Sequence, residues 1–249
     1  MIDLHSHVLP GLDDGARDLD EAVEICRAAA ADGIEVLAAT PHVREDYPTT
    51  PEQMEDALAQ VRDAAGDVVR LVPGGELALD ELARPAAELR RFALAGNTAY
   101  LLVETPYYGW PLDIGERLFR LRTAGFTPVL AHPERNGAVQ ERPVLLEPLV
   151  RAGTLVQLTA ASLDGRLGKR TRTAALALLE LELAHLVASD AHAPTLRAIG
   201  MSAAARSLGD DALARWLTVD VPRAILDAAS VPLRPAPTRR RRGLLRRRA

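Results

Sequence analysis

The sequence has a single cysteine, a single lysine and no long apolar run. Cys26 has no partner for an internal disulfide, and its helical surroundings lack an arginine loop, so catalysis by a thiolate nucleophile is not expected. No stretch approaches the roughly 18 consecutive apolar residues that cross a bilayer. The chain also starts without a basic and apolar leader, and together with the lone cysteine this predicts a cytoplasmic protein.

The remaining composition describes a globular protein whose charge is unevenly distributed. Its 249 residues are 48% hydrophobic, with a mean hydropathy of −0.02 and a formal charge of −4. Residues 239–249 contain seven arginines and no acid, so the preceding residues carry 23 bases against 34 acids, a balance of −11. This acidic body argues against nucleic-acid binding. The basic tail is either a disordered, solvated segment or a contact for anionic lipid or an acidic partner.

Strand-like apolar runs alternate with helical patterns along the chain. Strands are predicted around residues 2–5, 34–40, 68–72, 100–104, 127–131, 154–158 and 185–189. Capped or glycine-terminated helical patterns separate them, for example at residues 18–32, 113–124 and 142–152. Seven β/α units of this kind imply a parallel sheet that closes into an α/β barrel. We expect one domain over residues 1–231 and a Pro/Arg-rich tail over residues 232–249.

The first sixteen residues carry the clearest chemical signal. His5 and His7 are two positions apart on a short strand, so both imidazoles project from the same side where that strand ends. Pro10, Gly11 and Gly15 then impose a loop that bears Asp13 and Asp14. Imidazole and carboxylate groups are typical ligands of divalent cations. A His-x-His pair alone is weak evidence, so the rest of the chain decides its meaning.

Ionisable residues recur after the other predicted strands. Five of the six histidines lie at predicted strand ends, where carboxylates also occur. The residues concerned are His5, His7, Asp14, His42, Glu76, Glu104, His132, Asp190 and His192. The carboxyl ends of barrel strands form one rim, and burying so many ionisable groups without compensation costs several kcal/mol each. This pattern predicts a polynuclear metal site.

The motifs at these positions resemble those of the polymerase-and-histidinol-phosphatase (PHP) superfamily. Within it, they are similar to the bacterial manganese-dependent tyrosine phosphatases associated with capsule and exopolysaccharide synthesis. The resemblance runs from Met1 to about Met201, and the basic tail lies outside it. The motifs are His5-Ser6-His7, Thr40-Pro41-His42, Gly75-Glu76, Val103-Glu104, Ala131-His132-Pro133-Glu134-Arg135 and Ala188-Ser189-Asp190-Ala191-His192.

This resemblance implies a distorted seven-stranded barrel of the PHP type that holds up to three divalent ions. Mn²⁺ is the expected ion, with Fe, Zn, Co and Mg as alternatives. The implied ligands are His5, His7, Glu76 and Asp190 for one ion, Glu76, Glu104 and His132 for the second, and Asp14, His42 and His192 for the third.

The implied activity is hydrolysis of phosphotyrosine in a protein, with a cognate bacterial tyrosine kinase as the expected partner. A metal-activated water attacks phosphorus, while Arg135 and Arg197 match the family's phosphate-binding arginines. No dedicated general acid is evident, although His42 could serve where its metal is absent. The expected location is the cytoplasm, with possible contact of the tail with the inner membrane face.

Other functions of such a site remain to be weighed. An amidohydrolase is disfavoured because the only lysine, Lys169, lies in a loop-to-helix region and not on a barrel strand. A metal-dependent deoxyribonuclease is also disfavoured, because those enzymes lack counterparts of Asp14, His42 and His192. Histidinol-phosphate phosphatase, or another small-molecule phosphoesterase of the same superfamily, is the nearest alternative. A regulator that binds a phosphoprotein without turnover is a further one.

The two interpretations of the basic tail can be separated experimentally. Deleting residues 239–249 should leave hydrolysis of p-nitrophenyl phosphate unchanged and should weaken cosedimentation with vesicles of anionic lipid. The physical reason is that each arginine near an anionic surface contributes about 1 kcal/mol of attraction. Equal vesicle binding by the full-length and shortened chains would identify the tail as a solvated segment.

Overall fold

The computed structural model describes residues 1–96, 99–194 and 198–236. Ten strands are found there: β1 Ile2–Ser6, β2 Val36–Ala39, β3 His42–Arg44, β4 Tyr47–Pro48, β5 Arg70–Pro73, β6 Glu76–Leu77, β7 Tyr100–Glu104, β8 Thr127–Ala131, β9 Leu155–Thr159 and β10 Leu186–Ala188. The α-helices are α1 Leu19–Ala31, α2 Pro51–Ala65, α3 Ala86–Arg91, α4 Ile114–Thr123, α5 Gly137–Glu141, α6 Glu147–Arg151, α7 Ala160–Leu163, α8 Lys169–Glu180, α9 Met201–Ser207, α10 Asp211–Arg215 and α11 Val221–Leu226. A π-helical turn, Trp216–Asp220, links the last two helices.

The strands form a closed ring of seven positions, as the sequence predicted. In one direction β1 pairs in parallel with β2, and β2 with β5. After short breaks, β3 continues the strand position of β2 and β6 continues that of β5, and β3 and β6 pair in parallel. From β6 the sheet runs through β7, β8, β9 and β10, each paired in parallel with the next. A bridge between Ser6 and Ala191 joins the last strand position to the first. The expected distorted barrel is therefore confirmed.

The distortion lies where the second and third strand positions are interrupted. Residues 40–41 separate β2 from β3, and residues 74–75 separate β5 from β6. Proline and glycine at these breaks disturb strand pairing. The displaced β3 also pairs antiparallel with the short β4, a hairpin that the hydrophobic pattern did not predict. The break brings β3 and β6, each of which begins with a candidate ligand, to the mouth of the barrel.

Capping residues in the sequence predict the starts of the helices correctly, whereas helix boundaries are predicted less well where prolines interrupt a helical pattern. Asp18 caps α1 by accepting from the Glu21 amide, and Thr50 forms a reciprocal capping box with Gln53 at α2. The predicted helix over residues 142–152 is instead a 3-10 turn, Pro143–Leu146, followed by α6. Each piece has a proline in its first turn, where the missing amide hydrogen costs nothing.

The core fills the barrel and the space beneath its helices, and it includes buried residues of every barrel strand. No helix within residues 1–96, 99–194 and 198–236 is long and apolar enough to cross a membrane. Cys26 lies wholly inside this core on α1, and burial raises the pKa of its thiol to about 11.

One buried carboxylate ties the two ends of the strand ring together. Asp3 Oδ1 accepts from the backbone amide of His5 at 3.2 Å and from that of Ser189 at 3.0 Å. Burial raises the pKa of Asp3 to about 6. The side chain thus satisfies two amides that no water reaches, next to the seam where the barrel closes.

Replacing this carboxylate tests its contribution to stability. Asp3→Ala should lower the free energy of unfolding by about 3 kcal/mol, because two buried amides lose their acceptor. Urea denaturation followed by circular dichroism measures the change. Asp3→Asn is the comparison variant: its amide oxygen can still accept both bonds, but its NH2 group replaces Oδ2, which has no partner, so its stability should fall between those of the unmodified protein and Asp3→Ala. Equal stability of the two variants would show that the hydrogen bonds contribute nothing.

Candidate metal centre

The candidate ligands lie at the mouth formed by the carboxyl ends of the barrel strands. His5 belongs to β1, Glu104 ends β7, and His132 directly follows β8. The nine predicted residues fall into four overlapping groups, in each of which the ligand atoms lie within 4.8 Å of one another. These groups are His7, Asp14, His42 and His192; His5, His7 and Asp190; His5, Glu76 and His132; and His42, Glu76 and Glu104.

Two candidate ligands have left-handed backbone conformations, which L-residues rarely adopt. His132 has φ of 37° and Asp190 has φ of 54°. Such conformations cost of order 1–3 kcal/mol each and persist only where surrounding contacts enforce them. The amide of His132 donates to the Gln157 carbonyl, and the amide of Asp190 donates to the His5 carbonyl. Neighbouring strands therefore hold both residues at the points where the chain leaves the barrel.

The innermost group contains four fully buried side chains. Glu76 Oε2 lies 3.3 Å from His5 Nε2 and 3.4 Å from His7 Nε2. Asp190 Oδ1 lies 3.5 Å and 3.3 Å from the same two nitrogens. Two imidazoles and two carboxylates thus face one small volume, and this is the set that the resemblance implied for the first ion.

Glu76 extends this group towards the second implied set. Its other oxygen, Oε1, lies 2.8 Å from His132 Nε2. Glu104 points instead towards His42, with Oε2 lying 3.9 Å from Nδ1 of that ring. Arg44 explains this orientation, because its guanidinium donates to Glu104 Oε1 at 2.8 Å. The assignment of Glu104 and His132 to the same ion stays a prediction.

The third implied set lies at the outer edge of the mouth. Asp14 Oδ1 is 3.5 Å from His42 Nε2 and 3.3 Å from His192 Nε2. The ring of His7 stacks on that of His192, with centroids 3.8 Å apart. Asp14 is the one member of the cluster with substantial exposure, since its side chain is 41% accessible. The outer set is therefore open to solvent while the inner ones are sealed.

Supporting residues orient the two inner histidines. His5 Nδ1 lies 3.0 Å from Gln157 Oε1, and His7 Nδ1 lies 2.7 Å from Asp13 Oδ2. Each acceptor takes the Nδ1 hydrogen, so the Nε2 atom of each ring presents its lone pair to the mouth. Metal-binding histidines are commonly oriented by such contacts.

The geometry fits divalent cations. The two Nε2 atoms of His5 and His7 lie only 3.1 Å apart. In the tautomers that Gln157 and Asp13 select, both lone pairs face the same point and repel each other, and a cation or a proton between them removes this repulsion. Glu76 Oε2 is buried without a hydrogen bond although it is 3.0 Å from His42 Nδ1. Converging nitrogen and oxygen atoms, some of them without a hydrogen-bond partner, are what a preformed set of metal ligands presents.

The electrostatics of the cluster favour positive charge in the same place. Burial opposes ionisation of Asp190, but the charge of His5 and the hydrogen bond from His7 hold its pKa well below the usual range. Burial likewise opposes protonation of His7, yet Asp13 raises the pKa of that ring well above its usual value. Burial and the neighbouring Glu76 charge raise the pKa of Glu104.

The phosphate-binding arginines predicted from the resemblance have different outcomes. Arg135 is largely buried at the edge of the cluster, where its Nη1 donates to Asp190 Oδ2. It thus lies beside the candidate ligands, on the outward oxygen of a carboxylate whose other oxygen faces His5 and His7. Arg197 lies outside the described residues, and the phosphate-binding roles of both arginines stay predictions.

Three further residues at the mouth were not predicted. Arg44 orients Glu104, as described above. The ring of Tyr107 lies nearly parallel to that of His132, with centroids 5.9 Å apart, and the Arg135 guanidinium lies 4.8 Å from its centre. Asn136 donates to the carbonyls of Pro106 and Gly109 at 2.5 and 2.7 Å, and so holds the Tyr107 loop. The only feature of the sequence that could have indicated one of these residues was the position of Asn136 next to Arg135.

Comparison with known proteins decides the family. Residues 1–227 match the family described as capsular polysaccharide synthesis, CpsB/CapC. The chain belongs to this family. The resemblance to bacterial phosphatases of capsule synthesis is thereby confirmed, whereas membership of the PHP superfamily and the choice of manganese stay predictions.

Several relatives carry the name of one activity. This family member is 37% identical over 196 residues to the tyrosine-protein phosphatase YwqE of Bacillus subtilis, a match that spans 77% of each chain. It is 31% identical over 201 residues to the putative tyrosine-protein phosphatase CapC of Staphylococcus aureus, over 79% of each chain.

Solved structures agree with this placement. The chain matches one from the crystal structures of YwqE from Bacillus subtilis and CpsB from Streptococcus pneumoniae, described as unique metal-dependent tyrosine phosphatases. The TM-score is 0.83 at 32% identity, over 96% of this chain and all of the other. The lactonase Lmo2620 of Listeria monocytogenes matches with a TM-score of 0.53 at 12% identity, which shows a shared fold alone.

The contact between Asp13 and His7 generates a prediction about metal affinity. Asp13→Ala should weaken Mn²⁺ binding by about 10–100-fold, because His7 loses the acceptor that orients its ring. Titration of the purified apoprotein by calorimetry measures this. Asp20→Ala, an exposed acid in the first turn of α1, is the matched control. Unchanged affinity in Asp13→Ala would show that the hydrogen bond does not support the ligand.

Proposed function

We propose that this protein is a metal-dependent protein-tyrosine phosphatase that acts on a phosphotyrosine protein of capsule or exopolysaccharide synthesis. The observation that carries the proposal is the buried cluster of histidines and carboxylates, whose ligand atoms lie within 4.8 Å of one another in each group. Its occurrence in a member of the CpsB/CapC family supports the same conclusion. Relatives named as tyrosine-protein phosphatases support the choice of substrate.

The proposed ion is Mn²⁺, and up to three ions would be held by the nine candidate ligands, with Fe, Zn, Co or Mg as alternatives. His5, His7, Glu76 and Asp190 would hold one ion, and Glu76 would share a second with His132 and Glu104. Asp14, His42 and His192 would hold the third. When bound, such ions lower the pKa of water towards about 7 and neutralise charge on phosphoryl oxygens.

The protein's own residues then bind and orient the phosphate. Arg135 presents a planar guanidinium beside Asp190, and a guanidinium fork suits phosphate oxygens geometrically. In this proposal Arg197 supplies a second fork. Burial of the inner ligands excludes bulk water, which strengthens each of these interactions. His42, whose ring nitrogens face Asp14 and Glu76, would donate a proton only where it holds no ion.

The leaving group supports an aryl phosphate as substrate. A tyrosine phenolate has a pKa near 10, whereas an alkoxide lies closer to water at about 15. An aryl oxygen therefore leaves with little protonation, which suits a mouth without a dedicated general acid. The phosphoprotein we propose is a bacterial tyrosine kinase whose phosphorylation controls polysaccharide synthesis.

The C-terminal segment has a proposed role in location. Tyr100, which begins β7, donates to the Ala229 carbonyl, and Trp216 donates to the Pro232 carbonyl. These contacts lie at the amino ends of the barrel strands, opposite the metal centre. We propose a single catalytic domain over residues 1–231, in the cytoplasm, with the tail over residues 232–249 contacting the inner membrane face. In this arrangement the mouth would stay accessible to a phosphoprotein.

The proposed activity makes a direct prediction. The purified protein should hydrolyse a phosphotyrosine peptide in the presence of Mn²⁺, and a chelator should abolish turnover. His132→Ala and Asp190→Ala should each reduce kcat/KM by at least about 100-fold, because each removes an inner ligand. Release of inorganic phosphate measures all of these rates.

Two controls separate this activity from its alternatives. Iodoacetamide should leave the rate unchanged, since Cys26 is buried and its pKa is raised to about 11. Faster turnover of histidinol phosphate than of the phosphotyrosine peptide would identify a small-molecule phosphoesterase. Binding of the peptide with no turnover under any metal would identify a phosphoprotein-binding regulator.

A further inference from the structure

A groove leaves the metal centre on the side of Glu104. Its volume is about 440 Å³, and its walls include Arg44, Ala78, Leu79, Pro106, Tyr107 and Pro111. Glu104 also lines it, so the groove is continuous with the cluster of candidate ligands. Asp80 and Arg117 also line the groove, while Ala78, Leu79, Pro106, Tyr107 and Pro111 contribute its apolar and aromatic surface. The apolar surface suits a hydrocarbon ring, and the charged residues suit the polar groups of a peptide.

The depth of the centre limits what can reach it. His5 and Glu76 have no exposed surface, and Asp190 is only 4% exposed. A phosphate that contacts these residues must enter the mouth fully, while the peptide backbone that carries it remains outside. The benzene ring of phosphotyrosine holds its phosphate farther from the backbone than the single methylene of phosphoserine does, so phosphotyrosine reaches these buried residues more readily.

Tyr107 stands where such a ring would pass. Its own ring is fixed by the nearly parallel ring of His132 and by the Arg135 guanidinium. Its backbone carbonyl accepts from Gly137, and Asn136 holds the carbonyls of Pro106 and Gly109 in the same loop. Asn136 is 1% exposed, so this support is itself rigidly packed. Tyr107 is therefore a preorganised aromatic wall between the phosphate site and the groove.

The groove continues beyond the mouth. A second depression of about 580 Å³ lies between the segment Leu79–Ala83 with α3 and the helix α4, and it shares Leu79 and Arg117 with the first. The shared lining residues place the two depressions side by side, so a peptide that occupies the first can extend towards the second. A small-molecule phosphate would need only the first.

We propose that this groove binds the phosphotyrosine-bearing segment of the protein substrate, with the tyrosyl ring against Tyr107 and the flanking residues along Leu79. The inference rests on the proposed phosphatase function and specifies how that site selects its substrate. Tyr107 and the opposite wall at Ala78 are the specificity determinants, because they contact the ring and peptide and not the transferred phosphate.

The test compares variants of the two walls on matched substrates. Tyr107→Leu removes the aromatic face, and Ala78→Phe fills the groove from the opposite side. The substrates are a short phosphotyrosine peptide and a phosphoserine peptide of the same sequence, assayed with the Mn²⁺-loaded full-length chain. Inorganic phosphate, used as a competitive inhibitor, reports on the phosphate site alone. Leu112→Ser is the control, since Leu112 is fully exposed on the same loop and does not line the groove.

We expect Ala78→Phe to raise KM for the phosphotyrosine peptide by about tenfold or more, with an unchanged inhibition constant for inorganic phosphate. Tyr107→Leu should lower the preference for phosphotyrosine over phosphoserine by about tenfold, while Tyr107→Phe restores it. Leu112→Ser should behave as the unmodified protein. If both wall variants retain the KM and the preference, the inference is overturned.

Failure of this inference and failure of the proposed function give different results. If all variants cleave the phosphotyrosine peptide equally well, the groove does not bind the substrate, but the proposed phosphatase function is retained. For the opposite case, a fluorescent peptide carrying a non-hydrolysable phosphonate on its tyrosine tests binding without turnover. If the unmodified protein binds this peptide but hydrolyses none of the phosphopeptides, and Ala78→Phe weakens binding, the groove is confirmed as the peptide site and the phosphatase function is rejected.

Discussion

The centre of this protein depends on two imidazole nitrogens that face one another across 3.1 Å. Gln157 and Asp13 direct the lone pairs of His5 and His7 inward, and the buried carboxylates of Glu76 and Asp190 close the same small volume. With both lone pairs directed inward the two nitrogens repel each other, and a cation or a proton between them makes the close approach favourable. The surrounding architecture holds the four side chains in this arrangement.

The barrel holds these side chains together by concentrating strained backbone conformations at its mouth. His132 and Asp190 occupy left-handed conformations, and Gly15 lies so close to His7 that an added Cβ would meet the His7 carbonyl oxygen at 2.1 Å. Only glycine fits at that point of the loop. These unfavourable features are held in place by pairing of β1, β8 and β9 and by the apolar core beneath them. Rigid strands thus keep side chains in positions that a free chain would not adopt.

Much of this arrangement could be predicted from sequence because it follows from periodicity. Alternating strand and helix patterns imply a parallel barrel, and the carboxyl ends of its strands must share a rim. That rule alone brings His5, Glu76 and His132 together across more than a hundred positions. The helix starts at Asp18 and Thr50 were equally local, since each cap and its partner lie three residues apart.

The rest depended on contacts that periodicity does not encode. Asp13 and Asp14 are chemically identical neighbours, and only the loop geometry turns one towards His7 and the other towards His42 and His192. Arg44 reaches Glu104 because the second strand position breaks and forms an unpredicted hairpin. Asn136 holds a loop about thirty residues away through two side-chain hydrogen bonds. Such pairings are specified by three-dimensional packing.

The closure of the ring between its first and last strands has a consequence for how the protein is made. Asp3 meets Ser189, and the candidate ligands extend from His5 to His192, so the two halves of the centre are synthesised far apart in time. A chain still emerging from the ribosome has His5 and His7 but lacks Asp190 until more than 180 further residues have been added. Cation uptake at the innermost position is therefore a late step of biogenesis, and truncated products cannot assemble it.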